Sequence, residues 1–346
     1  MFAGFTHQPA IDLTARILPL LPGKMEKIFF SDNGSTAVEI GLKIALQYWY
    51  NRDTPKTKII SFKGGYHGDT FGAMSVAGKT AFNRPFWSHL FEVTTITPPI
   101  KGHEEKSLKQ LQAAIDSKTA CFIFEPLVLG VSGMLMYTPK QIAPLLDLCR
   151  KYGVITIADE VMTGFGRTGT YFASDQIHQK PDIICLAKGI TGGFLPLGAT
   201  CCTGDVYDAF HSEDKLKAFL HGHSYTANPL ACASAVASLD LLQAKACKNQ
   251  REMIASSHAM FACHWKNHPK LKRCESLGTI LALEYKDSAP SYFSSLRDPL
   301  YDFFIQKKII LRPLGNVLYV LPPYCITQSE LNQIYQAISQ TLEGNL

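Results

Sequence analysis

The chain has 346 residues and a formal net charge of +5, enough length for one large domain or two moderate ones. Hydrophobic residues make up 46% and charged residues 18%, a balance that permits a sizeable core, and the basic residues are scattered without the runs that mark nucleic-acid binding. No apolar stretch approaches the ~18 residues of a membrane span, the start MFAGFTHQPAIDL lacks the features of a signal peptide, and the ten cysteines follow no metal or disulfide spacing, so a cytoplasmic protein with reduced thiols is expected.

In chain order, Lys27–Ser31 reads as a strand, followed by a helix from about Ser35 to Tyr50 with Val38, Leu42, Ala45 and Leu46 near helical spacing. Lys58–Phe62 is a second strand, ending in the loop GGYHGDT, and Ala120–Glu125 is a third. Thr138 and Pro139 have the form of a helix start, with proline at the first helical position. That helix is predicted to run to Tyr152 and stop at Gly153. Val154–Asp159 and Asp182–Leu186 are further strands, and the vicinal pair Cys201 and Cys202 lies in another apolar run. Strands apolar throughout and separated by helices predict an α/β fold whose mainly parallel sheet is covered by helices on both faces. A long alanine-rich helix begins after Asn228 and Pro229, and short strands such as Leu318–Leu321 follow. A large domain over residues 1–235 and a smaller C-terminal α+β domain over 236–346 are expected.

Three polar signals stand at strand ends, where doubly wound sheets place their ligands. Gly34 and Ser35 lie where a strand turns into a helix, so free backbone N–H groups and the helix dipole would face a phosphate; a plain turn and N-cap is the commoner use of such a pair. Asp159 closes the apolar run VITIAD, where a carboxylate is costly without a cationic partner; a solvated strand end is the competing reading. Lys188 follows the run IICLA and precedes glycines. A lysine there can form a Schiff base with an aldehyde, and burial would favour its neutral, nucleophilic amine. An exposed lysine at a loop start is the alternative. The three signals in order, each at a carboxyl strand end, outweigh these separate alternatives.

The stretches SDNGSTAVE, FKGGYHGDTFGAMS, FIFEPLVLGVSGM, IADEVMTGFGRTG, CLAKGITGG and HGHSYTANPLACA resemble class III (ornithine/GABA type) aminotransferases over nearly the whole chain. The resemblance implies fold type I, pyridoxal 5'-phosphate as cofactor and a homodimer with shared active sites. It implies that Lys188 holds the cofactor and moves the proton, that Asp159 pairs with the ring nitrogen, and that Gly34 and Ser35 bind the phosphate. Tyr66 would stack on the ring and border the substrate, Gly222 would line the substrate site, and His223 and Ser224 would reach the phosphate of the other subunit's cofactor. Arg312, in LRPLG, would pair with the carboxylate of the keto substrate. GYHGDTFGAMSV, ALQYW and RPLGNVLYVLPPY point within the class to amine transfer onto 8-amino-7-oxononanoate in biotin biosynthesis, with S-adenosylmethionine as the expected donor and lysine as the other; another class III omega-aminotransferase, or an inactive remnant, is the alternative. The family typically has proline where His223 stands. MFAGFTHQPAI resembles an internal segment of the family, so the region that usually precedes it, with aromatic residues that close over the substrate, is expected to be absent.

Two other patterns give weaker readings. GFGRTG matches the dinucleotide fingerprint at Gly164, Gly166 and Gly169, but no helical apolar period follows it and Asp159 and Glu160 stand just upstream, where they would oppose a pyrophosphate. His221 and His223 form H-x-H without a third ligand at a telling spacing, so no metal is expected.

Overall fold

The structure is a computed structural model that describes residues 4–288 and 294–344. The chain divides into two compact units. The first contains helices α1 (Gln8–Ile17), α2 (Gly34–Asn51), α3 (Phe71–Val76), α4 (Glu104–Ala114), α5 (Pro139–Lys151), α6 (Gly204–Asp208) and most of α7 (Pro229–Gln243). Its strands are β1 (Met25–Ser31), β2 (Lys58–Phe62), β3 (Thr94–Ile96), β4 (Thr119–Phe124) and the short β5 (Val128–Leu129). After the short β6 (Leu135–Met136), which belongs to the second unit, the first continues with β7 (Ile155–Asp159), β8 (Ile183–Leu186) and β9 (Gly198–Thr203).

Seven strands form one sheet in the order β1-β9-β8-β7-β4-β2-β3. The run β8-β7-β4-β2-β3 is parallel, and β9, which carries Cys201 and Cys202, runs antiparallel to both its neighbours. Every residue of β4, β7 and β8 is buried. Successive side chains of a strand point to opposite faces, so both faces are covered, which is why these strands read as continuous apolar runs. Phe62, Phe122 and Phe124 fill part of this core, with Phe62 edge-on to Phe122 at 5.2 Å between ring centroids. The Asn33 side chain accepts the N–H of Thr36, and the Thr36 hydroxyl receives the N–H of Asn33, a reciprocal cap that starts α2. At α5 the Gln141 side chain accepts the N–H of Thr138 at 2.7 Å, beside Pro139 at the first helical position.

The second unit comprises Leu242–Leu346 together with two short pieces, Gly133–Met136 and Gly166–Thr170. It holds α8 (Lys245–Trp265), β10 (Leu271–Leu277), β11 (Ile280–Tyr285), α9 (Arg297–Gln306), β12 (Val317–Val320) and α10 (Gln328–Glu343). The three long strands form an antiparallel sheet in the order β10-β11-β12. The two pieces are claimed by specific bonds: Arg273 on β10 donates to the carbonyls of Gly133 and Met134, and Thr279 donates its N–H to the Arg167 carbonyl. The boundary thus falls inside α7, and a division into two continuous stretches does not describe the units. Such long-range bonds leave no periodic trace in the sequence.

His258 on α8 is fully buried, with Nδ1 2.7 Å from the hydroxyl of Tyr335 on α10. Burial, against a weaker opposing backbone hydrogen bond at Thr279, pushes its pKa down to about 4. An unfolded histidine takes its proton near 6.5, so the unfolded state binds more protons between those values and stability falls as pH drops through the window. The shift corresponds to about 3 kcal/mol at most. His258→Asn is expected to flatten the loss of stability between about pH 6.5 and pH 4. Denaturant melts at both ends of that range check this, and an unchanged slope would refute it.

Candidate active site

The carboxyl ends of β1, β2, β4, β7 and β8 carry the polar residues. At the end of β1, Asn33 takes the N–H groups of Thr36 through its side chain and of Ala37 through its carbonyl. The N–H groups of Gly34 and Ser35 have no partner among the described residues. Two free donors at the positive end of an 18-residue helix suit a phosphate. Glycine is required at 34 because a Cβ there would lie 2.8 Å from Cγ1 of Val161, the residue two places after Asp159. The same close approach sets the helix start beside the end of β7.

The loop after β2 crosses this region. Gly68 sits at φ +126°, and a Cβ on it would meet the Ser35 hydroxyl at 2.1 Å; the Asp69 N–H donates to that hydroxyl at 3.2 Å. The Tyr66 hydroxyl donates to Asp69 at 2.8 Å, and its N–H donates to Oε1 of Glu125 at 2.9 Å. Burial, followed by the hydrogen bond to Asp69, pushes the Tyr66 phenol up to about 12. It is therefore protonated at every physiological pH and acts as a donor.

Asp159 is 4% exposed. Its Oδ1 accepts the N–H of Val161 at 3.1 Å, and its Oδ2 lies 2.7 Å from Nδ1 of His67, itself buried. An ionised carboxylate only accepts, so the imidazole donates. Glu125 closes β4 and is also buried, with Oε2 accepting from the Gly130 N–H at 3.0 Å. Burial pushes its carboxyl up to about 7, with the Asp159 charge adding to the rise and His67 and the two backbone donors opposing it.

Lys188 stands one strand over. Asp159 pairs with Cys185 in the parallel register of β7 and β8, and Lys188 follows shortly beyond. Its backbone is at φ +38°, a region that costs a non-glycine residue of the order of 1 kcal/mol or more. It opens a short 3-10 turn whose next residue, Gly189, lies against the Phe165 ring. The strand is buried up to Ala187, and Lys188, at positive φ, is exposed in this chain, where a buried amine was expected. No hydrogen bond or ion pair occupies its amine among the described residues.

Gly222 is exposed, with open space where a Cβ would be. The His223 N–H donates to the Thr226 hydroxyl and its Nδ1 accepts the Tyr225 N–H, while Nε2 is buried. Ser224 is exposed. Arg312 is exposed in the second unit, ahead of β12. Within the first unit the structure thus brings together Gly34, Ser35, Tyr66 and Asp159, with Lys188 on the adjoining strand. It adds His67, Glu125 and Asp69, which sequence reasoning did not single out. The carboxylate ending the run FIFE was the visible signal for Glu125; nothing local in GGYHGD indicated that His67 would meet Asp159. No helix opens between Gly164 and Gly169, as the dinucleotide reading would need.

These groups fit pyridoxal phosphate: free N–H donors for an anion, a buried carboxylate with spare lone pairs for a cationic ring nitrogen, and an unpaired amine. The comparisons agree. The family model for class III aminotransferases matches residues 1–342. The adenosylmethionine-8-amino-7-oxononanoate aminotransferase of Synechococcus elongatus is 44% identical, over 99% of this chain and 82% of that protein. The crystal structure of the enzyme of that name from Methanocaldococcus jannaschii superposes with a TM-score of 0.90 at 34% identity, covering 100% of this chain and 82% of the other. An amine transaminase from an uncultivated Pseudomonas species, in its pyridoxal-phosphate-bound form, gives 0.90 at 28% identity, covering 99% and 82%. Its strand-end lysine, buried aspartate and open helix start having been placed, the chain belongs to the class III aminotransferases, which work with pyridoxal phosphate.

Proposed function

We propose that this protein transfers an amino group from S-adenosylmethionine to the keto group of 8-amino-7-oxononanoate, yielding 7,8-diaminononanoate for biotin synthesis. The observation that carries the chemistry is the free amine of Lys188 one strand from the clamped carboxylate of Asp159. The substrates follow from the relatives named above.

Bound pyridoxal phosphate supplies an electron sink for the pair left when a substrate carbon loses its proton. The N–H groups of Gly34 and Ser35 hold the phosphate, aided by the α2 dipole. Asp159 keeps the ring nitrogen protonated through its charge. Tyr66 would cover one face of the ring and border the substrate, an aromatic face with a polar tip. Lys188 would hold the cofactor between turnovers through its amine and would move the proton at the substrate carbon. Gly222 leaves room for the substrate. The protein works as a cytoplasmic homodimer, with Ser224 and the His223 segment reaching the partner's phosphate; the His223 N–H and Nδ1 are engaged within the chain.

Arg312 pairs with the carboxylate of the keto substrate. Arg312→Ala is expected to slow the keto-acid half-reaction by on the order of 2–5 kcal/mol and to leave the donor half-reaction nearly unchanged. Single-turnover measurements of each half-reaction check this, and equal losses would show that Arg312 supports the fold. The overall reading is tested by mass-spectrometric detection of 7,8-diaminononanoate from both substrates. Turnover of simple primary amines without that product would favour the amine transaminases whose structures are also similar.

A further inference from the structure

One buried cluster next to the proposed cofactor site is not consumed by the roles above. His67, between β2 and α3, is fully enclosed; Nδ1 meets Asp159, and Nε2 is buried with no hydrogen-bond partner among the described residues. Glu125 from the end of β4 contributes a second carboxyl; Tyr66 of the same loop, which donates to Asp69, and Cys185 of β8 are the other titratable groups that feel the charge of these carboxyls. Burial alone would drive His67 towards its neutral form. The hydrogen bond and charge of Asp159, with the charge of Glu125, outweigh it and hold the imidazole above its ordinary value.

The geometry gives His67 two effects. An ionised carboxylate offers about four lone-pair positions. In Asp159 one is fixed by the backbone at Val161 and one by the imidazole, so the directions of the rest are fixed as well. The imidazole also decides how much of the carboxylate's charge remains for another cation. When neutral, it donates one hydrogen bond and leaves the negative charge to a third partner; when protonated, it shares that charge.

We propose that His67 is a positioning residue, whose Nδ1–H clamps Oδ2 of Asp159 so that the free lone pairs of the carboxylate face the cofactor's ring nitrogen, and whose protonation competes with that nitrogen for the charge of Asp159. The proposal rests on the reading of Asp159 given above. Its consequence is an acid limb: as His67 gains its proton, the ring nitrogen loses part of its counter-charge and amine transfer slows.

Two variants separate clamp from charge. In His67→Asn the amide nitrogen stands near the place of Nδ1 and can donate to Oδ2, but does not titrate. His67→Leu removes the donor. In the cofactor-free protein, a downfield Nδ1 proton resonance is expected that disappears in His67→Asn; its absence from the wild type at neutral pH would overturn the clamp whatever the reaction. With ring-15N pyridoxal phosphate bound, the nitrogen shift of the wild type is expected to show an inflection on the acid side that His67→Asn lacks. Single-turnover amine transfer should fall roughly tenfold or more in His67→Leu, as misdirected contacts do, and stay within about threefold of wild type in His67→Asn. Equal losses in both variants, or none in His67→Leu, would overturn the proposal. A normal rate in Asp159→Asn with the Nδ1 resonance present in the wild type would instead overturn the reading of Asp159 and leave the clamp as a feature of the fold.

Discussion

Lys188→Ala is expected to abolish turnover, by at least about 10³-fold, because the same amine holds the cofactor and moves the proton. The fold should be untouched. The side chain is exposed and bonds to nothing among the described residues, and alanine meets the same penalty as lysine at φ +38°. Surface changes of this kind shift stability by about 0.5 kcal/mol or less. The signature is thus an inactive protein with an unchanged melting temperature. Borohydride treatment of the loaded wild type should place a pyridoxyl group on Lys188 alone, read by peptide mapping. An adduct on another lysine, or residual turnover in the variant above about one part in a thousand, would remove Lys188 from its role.

Asp159→Asn should keep the fold and lose most of the activity, on the order of 10²–10³-fold in single turnover. The amide oxygen can still accept the Val161 N–H. On the other side the amide NH₂ faces the His67 Nδ1, so the imidazole must present a lone pair there and move its proton to Nε2, which has no partner among the described residues. That change costs some stability. The larger loss is the charge: a neutral amide does not hold a ring nitrogen protonated, and the electron pair released by the substrate then has a weaker sink. Near-normal rates in the variant would refute the assignment. A protein that no longer binds pyridoxal phosphate would place Asp159 in affinity as well as in catalysis, which equilibrium dialysis separates from the rate.

Much of the site was legible because its residues sit at the ends of strongly patterned elements. β7 is mostly apolar and β8 is apolar from end to end, so the charged residues Asp159, which closes β7, and Lys188, just beyond β8, stand out without any structural knowledge. The start of α2 was legible to within a residue or two, at Gly34 and Ser35; that Asn33 is its cap emerged only in the structure. The antiparallel course of β9 was not legible, since a buried strand has the same composition in either direction. Helix α1 carries its hydrophobic stripe at Ala10, Leu13 and Ile17, but too short a pattern to be singled out beside an irregular start. The choice between a buried and an exposed Lys188 was open in the sequence, because the letters K-G-I-T do not reveal its positive φ.

The amino-acid sequence by itself determined the alternation of strands and helices, the polar residues closing each strand, and the family to which the chain belongs, since all of these are local patterns or ordered combinations of them. Only the tertiary structure decided which buried polar groups meet. His67 and Asp159 are 92 positions apart and Tyr66 and Glu125 are 59 apart. Each pair forms because a parallel sheet aligns the carboxyl ends of distant strands, so that their loops converge at one edge. A buried carboxylate is costly until such a partner arrives. The sequence announces that a partner is needed, and only the sheet order supplies its name.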